Sequence, residues 1–248
     1  MYDLTDKVAV ITGGTRGIGL AIARQILAAG GRVMLGGRTA TDDAAALQAS
    51  HGAGRVALDL GDIAVPDHAT RLVETAGRQF GRIDVLIHAA GGPAPGTIMD
   101  LSTGGWMDAF ALHVHPVFHL FRAAHPFLKV DGGAVLLVSS VAGLRGCPGS
   151  VAYQTVKGAL IPLAKALAFD NAVHRIRVNV IAPGIIRTAF HAAMTDVAKA
   201  HNIANRIPLR REGTVGDVAE AAMGLIRNEF ITGEVLTIDG GMSMRITA

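Results

Sequence analysis

The chain of 248 residues has one cysteine, Cys147, few aromatic residues (4%) and few charged ones (17%). A single cysteine closes no internal disulfide, so a disulfide-stapled scaffold is excluded and a reducing cytoplasm is the expected setting. No apolar run approaches the roughly 20 residues that cross a bilayer. The opening "MYDLTDKVAVITGG" has no basic region ahead of an apolar signal core. No membrane partner is therefore expected. Runs of like charge are also missing: the net charge is +3 and the basic residues are dispersed, so no nucleic-acid partner is expected. No linker rich in Pro, Ser or charge divides the chain, and no short repeat does, which predicts one domain over residues 1–248.

Half of the residues are hydrophobic, and glycine is abundant at 31 residues. Short β-branched runs alternate with stretches of helical spacing. "VAVIT" (8–12) reads as a strand buried on both faces, and "GLAIARQILAAG" (19–30) as the helix after it. "RVMLGG" (32–37), "RVALDL" (55–60), "IDVLIHAAGG" (83–92), "GAVLLVSS" (133–140), "IRVNVIAPG" (176–184) and "GEVLTIDGG" (233–241) continue the strands. Helices are expected at 67–81, about 103–128 and 152–172. This rhythm predicts an α/β fold: a Rossmann-like, doubly wound parallel sheet with helices on both faces. Residues 185–212 lack a strand signal and read as helix and loop covering a substrate at the carboxyl ends of the strands.

Between the first strand and first helix lies "TGGTRGIG" (12–19), with Gly13, Gly17 and Gly19. Glycines there let the backbone approach a pyrophosphate that the free N–H groups of a helix start would hold. The spacing differs from GxGxxG, and the placement in a βαβ unit carries the reading. An acid at the end of the second strand would pair with the ribose 2′-OH of NAD. Here Gly37 is followed by Arg38, with Arg16 in the glycine loop, and guanidinium groups pair with a 2′-phosphate. That favours NADP(H) over NAD(H), against the plainer view that both arginines are solvated. Asp59, ending the third strand, can hydrogen-bond an adenine or cap a turn.

"YQTVK" sets Tyr153 and Lys157 on one face of a helix. A tyrosine is a poor base near neutrality unless a cation lowers its pKa, and Lys157 is such a cation. Ser140 ends the preceding strand, where its hydroxyl can meet a substrate oxygen. In order, "TGGTRGIG", "LDL", "AAG", "SS", "YQTVK", "VNVIAPGIIRT" and "GEVLTIDGG" make the chain resemble the short-chain dehydrogenase/reductases over nearly its whole length.

The resemblance implies hydride transfer between a nicotinamide and a small carbonyl or secondary alcohol. Tyr153 would be the acid/base, Lys157 would hold the nicotinamide ribose, and Ser140 would position the substrate oxygen. The implied cofactor set is Gly13, Thr15, Arg16, Gly17, Ile18, Gly19, Arg38, Asp59, Leu60, Ala89, Ala90, Gly91, Tyr153, Lys157, Pro183, Gly184, Ile186 and Thr188. A homo-oligomer, tetrameric or dimeric, is also implied.

Two departures stand near this site. The family has Asn-Asn-Ala-Gly after the fourth strand, where this chain has His88-Ala89-Ala90-Gly91. The family also carries a catalytic asparagine, whose main-chain carbonyl holds a relay water, where this chain has His113. Pro116 deletes the N–H that would bond the Leu112 carbonyl, so a kink is expected in that helix. Pro162 predicts a second kink just after the catalytic turn. A metal site is not expected: His113 and His115 diverge by roughly 200° at about 100° per residue, and His115 and His119 have no third ligand. The rival reading is a cofactor-binding relative with reduced or lost turnover, serving as a sensor or scaffold.

Overall fold

The continuous apolar run Val8–Thr12 (β1) is buried at every position, as a strand covered on both faces must be. The computed structural model of the chain describes residues 1–191 and 194–244. After β1 come α1 (Gly17–Ala28), β2 (Arg32–Gly37), α2 (Asp42–His51), β3 (Val56–Leu60), α3 (Pro66–Phe80) and β4 (Val85–His88). The second half holds α4 (Thr103–His113), α5 (His115–Asp131), β5 (Gly133–Val138), α6 (Val151–Asn171) and β6 (Ile176–Pro183). It closes with α7 (Asp196–His201), α8 (Val215–Arg227) and β7 (Val235–Ile238).

The seven strands form one parallel sheet in the order β3-β2-β1-β4-β5-β6-β7. Helices α1 and α8 bury their apolar faces on one side, and α3, α5 and α6 on the other. This is the Rossmann-like architecture that the alternating pattern predicts. The strand order reverses between β1 and β4, and at such a switch point the carboxyl ends of the strands splay into a crevice. The register pairs Thr12 of β1 with His88 of β4 at the crevice floor.

Elements in both halves of the chain differ from the sequence reading. The single helix expected over 103–128 is two helices, α4 and α5, broken at Val114. Pro116 lies in the first turn of α5, where its missing N–H costs nothing, so a predicted kink becomes a helix start. Pro162 and Pro126 are both carried inside unbroken helices. The apparent strand 83–92 pairs only over Val85–His88, because the chain then leaves the sheet to line the crevice. Helix α2 gave no apolar stripe because it buries only Ala44; Thr41 caps it through the Ala44 N–H.

Residues 185–212 contain a short 3-10 turn at Ala189–His191 and α7, with 192–193 outside the described residues. Among the described residues, no helix is long and apolar enough to cross a membrane.

Candidate active site

The glycine loop is shaped by contacts that a side chain would destroy. Gly13 has φ +63°, and a Cβ there would stand 2.8 Å from the Ala90 nitrogen. A Cβ on Gly19 would stand 2.3 Å from the Gly13 carbonyl oxygen. The loop is thus packed against its own helix on one side and against the β4 exit on the other. Helix α1 then starts with no side-chain cap on its first N–H groups and no acid in its first turn. Those orphan donors and the dipole end suit a pyrophosphate. Gly19→Ala is expected to displace the loop and weaken NADPH binding at least about tenfold, measured by titration calorimetry. Unaltered affinity would mean that the loop is not the phosphate cradle.

Thr188 closes over this loop, 3.9 Å from where a Gly17 side chain would start. Arg16 sits at the cap of α1 and donates to Thr39 Oγ1 at 2.9 Å. Arg38 follows β2 and is exposed. Thr15 is buried against Gly37, where a Cβ would meet its Oγ1 at 2.5 Å, and its carbonyl accepts from Thr41. Asp59 faces His68 at 3.5 Å and Arg71 at 3.4 Å, so an adenine would share this carboxylate with them. Leu60 is partly exposed beside it, and Ile18 packs on the core. Pro183 ends β6 and Gly184 abuts Asp239, whereas the Ile186 side chain packs into the core.

Ser140, Tyr153 and Lys157 meet at the ends of β5 and α6. The Ser140 hydroxyl hydrogen-bonds Tyr153 and also accepts from the Ala142 N–H at 3.2 Å. Lys157 is 5% exposed; its Nζ donates to the Val138 carbonyl at 2.8 Å and lies 5.9 Å from the Tyr153 ring centroid. Burial pushes the lysine pKa down to about 8. Burial raises the Tyr153 pKa, the Ser140 hydrogen bond opposes that rise, and Cys147 adds to it. The expectation that Lys157 depresses the tyrosine is not met here: desolvation dominates, and the ammonium is turned to the Val138 carbonyl. Three contacts that carry no sequence signature complete the corner. Ser139 Oγ donates to the Lys157 carbonyl at 2.7 Å, Gly143 lies against the Lys157–Gly158 backbone, and the Phe190 ring packs 5.8 Å from that of Tyr153.

The two departures from the family pattern are joined to each other. His88 Nε2 is 3.2 Å from the His113 carbonyl, which can only accept, so Nε2 carries the proton. His88 Nδ1 therefore accepts, at 2.8 Å, from the Thr12 hydroxyl, which in turn accepts from the Ala90 N–H at 3.2 Å. His88 is 2% exposed, and burial with the nearby Lys157 charge lowers its pKa to about 3. A neutral ring is what this chain of bonds requires. The loss of both asparagines thus leaves the β4 exit braced, from Ala90 through Thr12 and His88 to the end of α4.

His113 is 1% exposed, with its ring edge-on to Tyr153 at 5.8 Å. Its Nε2 is 3.1 Å from the Gly92 carbonyl and 3.4 Å from the Gly92 nitrogen. The shorter contact and the neighbouring Lys157 cation both favour a proton on Nε2. Burial, then Lys157, then His88 lower the pKa of His113 to about 3. The ring also explains Gly91, since a Cβ there would stand 2.9 Å from His113 Cε1. Ala89 and Ala90 present backbone to the crevice between these groups and the glycine loop. His115 and His119 are not gathered with His113, and no group of three metal-ligating side chains occurs among the described residues.

A switch-point crevice with a glycine cradle and a Ser–Tyr–Lys corner defines a dinucleotide-dependent oxidoreductase. The family model described as enoyl-(acyl carrier protein) reductase matches residues 13–243. An uncharacterised oxidoreductase of Mycobacterium tuberculosis is 37% identical over 98% of this chain and 94% of its own length. The 3-oxoacyl-[acyl-carrier-protein] reductase of Escherichia coli is 34% identical over 96% of this chain and 98% of its own. A short-chain type dehydrogenase/reductase from Mycobacterium ulcerans superposes with a TM-score of 0.90 at 30% identity, covering 99% of this chain and 93% of the other. The chain belongs to the short-chain dehydrogenase/reductase family, whose members are NAD(P)-dependent oxidoreductases acting on CH–OH and C=O groups.

Proposed function

We propose that this protein is an NADP(H)-dependent reductase of a small carbonyl substrate, with Tyr153 as the general acid. The observation that carries the reading is the Ser140–Tyr153–Lys157 corner at the mouth of the glycine-cradled crevice. The close-packed glycine loop, the uncapped N–H groups that start α1 and a buried lysine that no carboxylate faces among the described residues fit a dinucleotide. The nicotinamide, when bound, supplies the hydride for reduction or takes it up in oxidation.

The residues divide the remaining work. Ser140 holds the substrate oxygen through its hydroxyl. Tyr153 delivers a proton to that oxygen as negative charge develops on it. The raised tyrosine pKa keeps this proton in place near neutrality, which suits the reductive direction. Lys157 holds a ribose hydroxyl, with its Nζ 5.9 Å from the centroid of the tyrosine ring. The main-chain carbonyl of His113, at the relay position, accepts from His88. The segment 185–212 forms the cover of one domain spanning 1–248, with Phe190 against the catalytic tyrosine. Two of the relatives are 3-oxoacyl-[acyl-carrier-protein] reductases, and the class proposed here is the carbonyl, or the secondary alcohol formed from it, on a small molecule. A cytoplasmic homo-oligomer, tetrameric or dimeric, completes the reading.

Preference for NADP(H) rests on Arg38 and Arg16 flanking the end of β2, with Gly37 where an acid would repel a 2′-phosphate. Arg38→Ala is expected to raise the KM for NADPH roughly 10–100-fold, the loss of one or two charge-assisted hydrogen bonds, and to leave that for NADH nearly constant. Equal effects on both cofactors would remove Arg38 from phosphate recognition.

A further inference from the structure

Two buried groups at the heart of the site lack partners of opposite kinds. His113 Nδ1 is a buried ring nitrogen with no hydrogen-bond partner. With the proton on Nε2 and engaged by the Gly92 carbonyl, Nδ1 is a bare acceptor. Lys157 carries three N–H donors in a buried position, and the Val138 carbonyl takes one of them. Leaving a buried acceptor unpaired beside a buried, under-bonded cation costs free energy on both sides.

The two groups flank the same atom. A Cβ placed on Gly91 would lie 3.2 Å from His113 Nδ1 and 3.4 Å from Lys157 Nζ. Because Gly91 has no side chain, nothing at that residue separates the ammonium from the ring nitrogen. A swing of the lysine tip toward Gly91 would join them. We propose, on the functional reading above, that His113 Nδ1 is the second acceptor of the Lys157 ammonium, making His113 a positioning residue that acts through its side chain. The carbonyl of the same residue, where the family holds its relay water, is engaged by His88. The ring nitrogen restrains the lysine beneath Tyr153 while the tyrosine proton leaves.

The test is nitrogen NMR of the full chain labelled with 15N-histidine, recorded without cofactor and with NADPH. In the wild type the His113 Nδ1 resonance is expected upfield of a bare ring nitrogen. In Lys157→Met it moves downfield to the bare position, while the protonated Nε2, still held by Gly92, stays put. An Nδ1 resonance identical in the two proteins, with and without NADPH, overturns the proposal.

Should Lys157→Met fail to fold, a titration of the wild type decides. The titratable groups facing the ring are His88 from β4 and Tyr153 and Lys157 from α6, with Cys147 beside Tyr153. His88 is neutral above about pH 5 and the tyrosine pKa is raised, so Lys157, near 8, is expected to titrate with a midpoint there, and the same titration of Cys147→Ser removes any contribution from the thiol. An Nδ1 shift with a midpoint near pH 8 supports the contact, and a flat trace contradicts it. Both readouts are independent of turnover, so a protein that reduces no carbonyl fails the functional reading while the nitrogen shift still reports on Lys157 and His113.

Discussion

Tyr153→Phe is expected to lower kcat for carbonyl reduction by about 10²–10⁴-fold, the usual contribution of a positioned general acid. The phenyl ring keeps its packing against His113 and Phe190, both at 5.8 Å, so the fold and NADPH affinity should hold. What is lost is the hydroxyl that pairs with Ser140 and gives up its proton. The pH dependence follows from the direction of the tyrosine shift. Reduction needs the protonated phenol, which burial stabilises, so its rate should be level through neutrality and fall only in alkali. Oxidation needs the phenolate, so its rate should climb with pH. Steady-state kinetics in both directions against pH check this. A Tyr153→Phe protein with wild-type kcat would assign the proton transfer elsewhere.

Acid should destabilise the protein well before its carboxylates titrate. His88 and His113 are held neutral with pKa values of about 3, whereas an unfolded histidine titrates near 6.5. Above about pH 6.5 neither state binds these protons and the stability is complete. As pH falls through 6.5 toward 3, the unfolded chain takes up two protons that the folded chain refuses. From pH 7 to pH 5 the expected loss is about 2 kcal/mol per histidine, about 4 kcal/mol for the pair. Asp84 has the opposite history, with a pKa lowered by Arg82, the Val8 N–H and Lys7 against its desolvation. Its contribution is present above the ordinary carboxylate range and disappears as pH falls below that range, so the two effects occupy separate windows. Urea unfolding at pH 7 and pH 5 measures the histidine effect. His88→Asn should remove about half of the pH dependence, and equal stability at both pH values in the wild type would contradict the buried neutral pair.

Much of this was legible in the sequence because it is carried by local pattern. The apolar runs of β1 and β6 are wholly buried, and "TGGTRGIG" falls between a strand and a helix as its glycines require. Tyr153 and Lys157 share a helix face by spacing alone. What escaped was set by tertiary contact. Helix α2 lies on the sheet edge with one buried residue, so it leaves no apolar stripe to read. The start of α8 did leave a signal, Thr214 and Asp217 forming a reciprocal capping box, and a closer look at that spacing finds the helix. The break at Val114 depended on whether Pro116 bends a helix or opens one, which residues 111–120 leave open. The link from Thr12 through His88 to the His113 carbonyl spans three distant segments, and only the β1–β4 register brings them together. Read singly, His88 and His113 are losses of asparagine; in the fold they form one braced unit.

The most direct test of the central claim is a comparison of binding with turnover in the unaltered protein. NADPH is titrated by fluorescence, and the same preparation is then mixed with NADPH and a panel of small ketones, aldehydes and acyl thioesters bearing a 3-oxo group. The expected result is saturable NADPH binding and consumption of the reduced nicotinamide matched mole for mole by alcohol. NADPH binding with no carbonyl reduced and no alcohol oxidised with NADP⁺ would contradict it, and would make the Ser140–Tyr153–Lys157 corner part of a cofactor-binding protein.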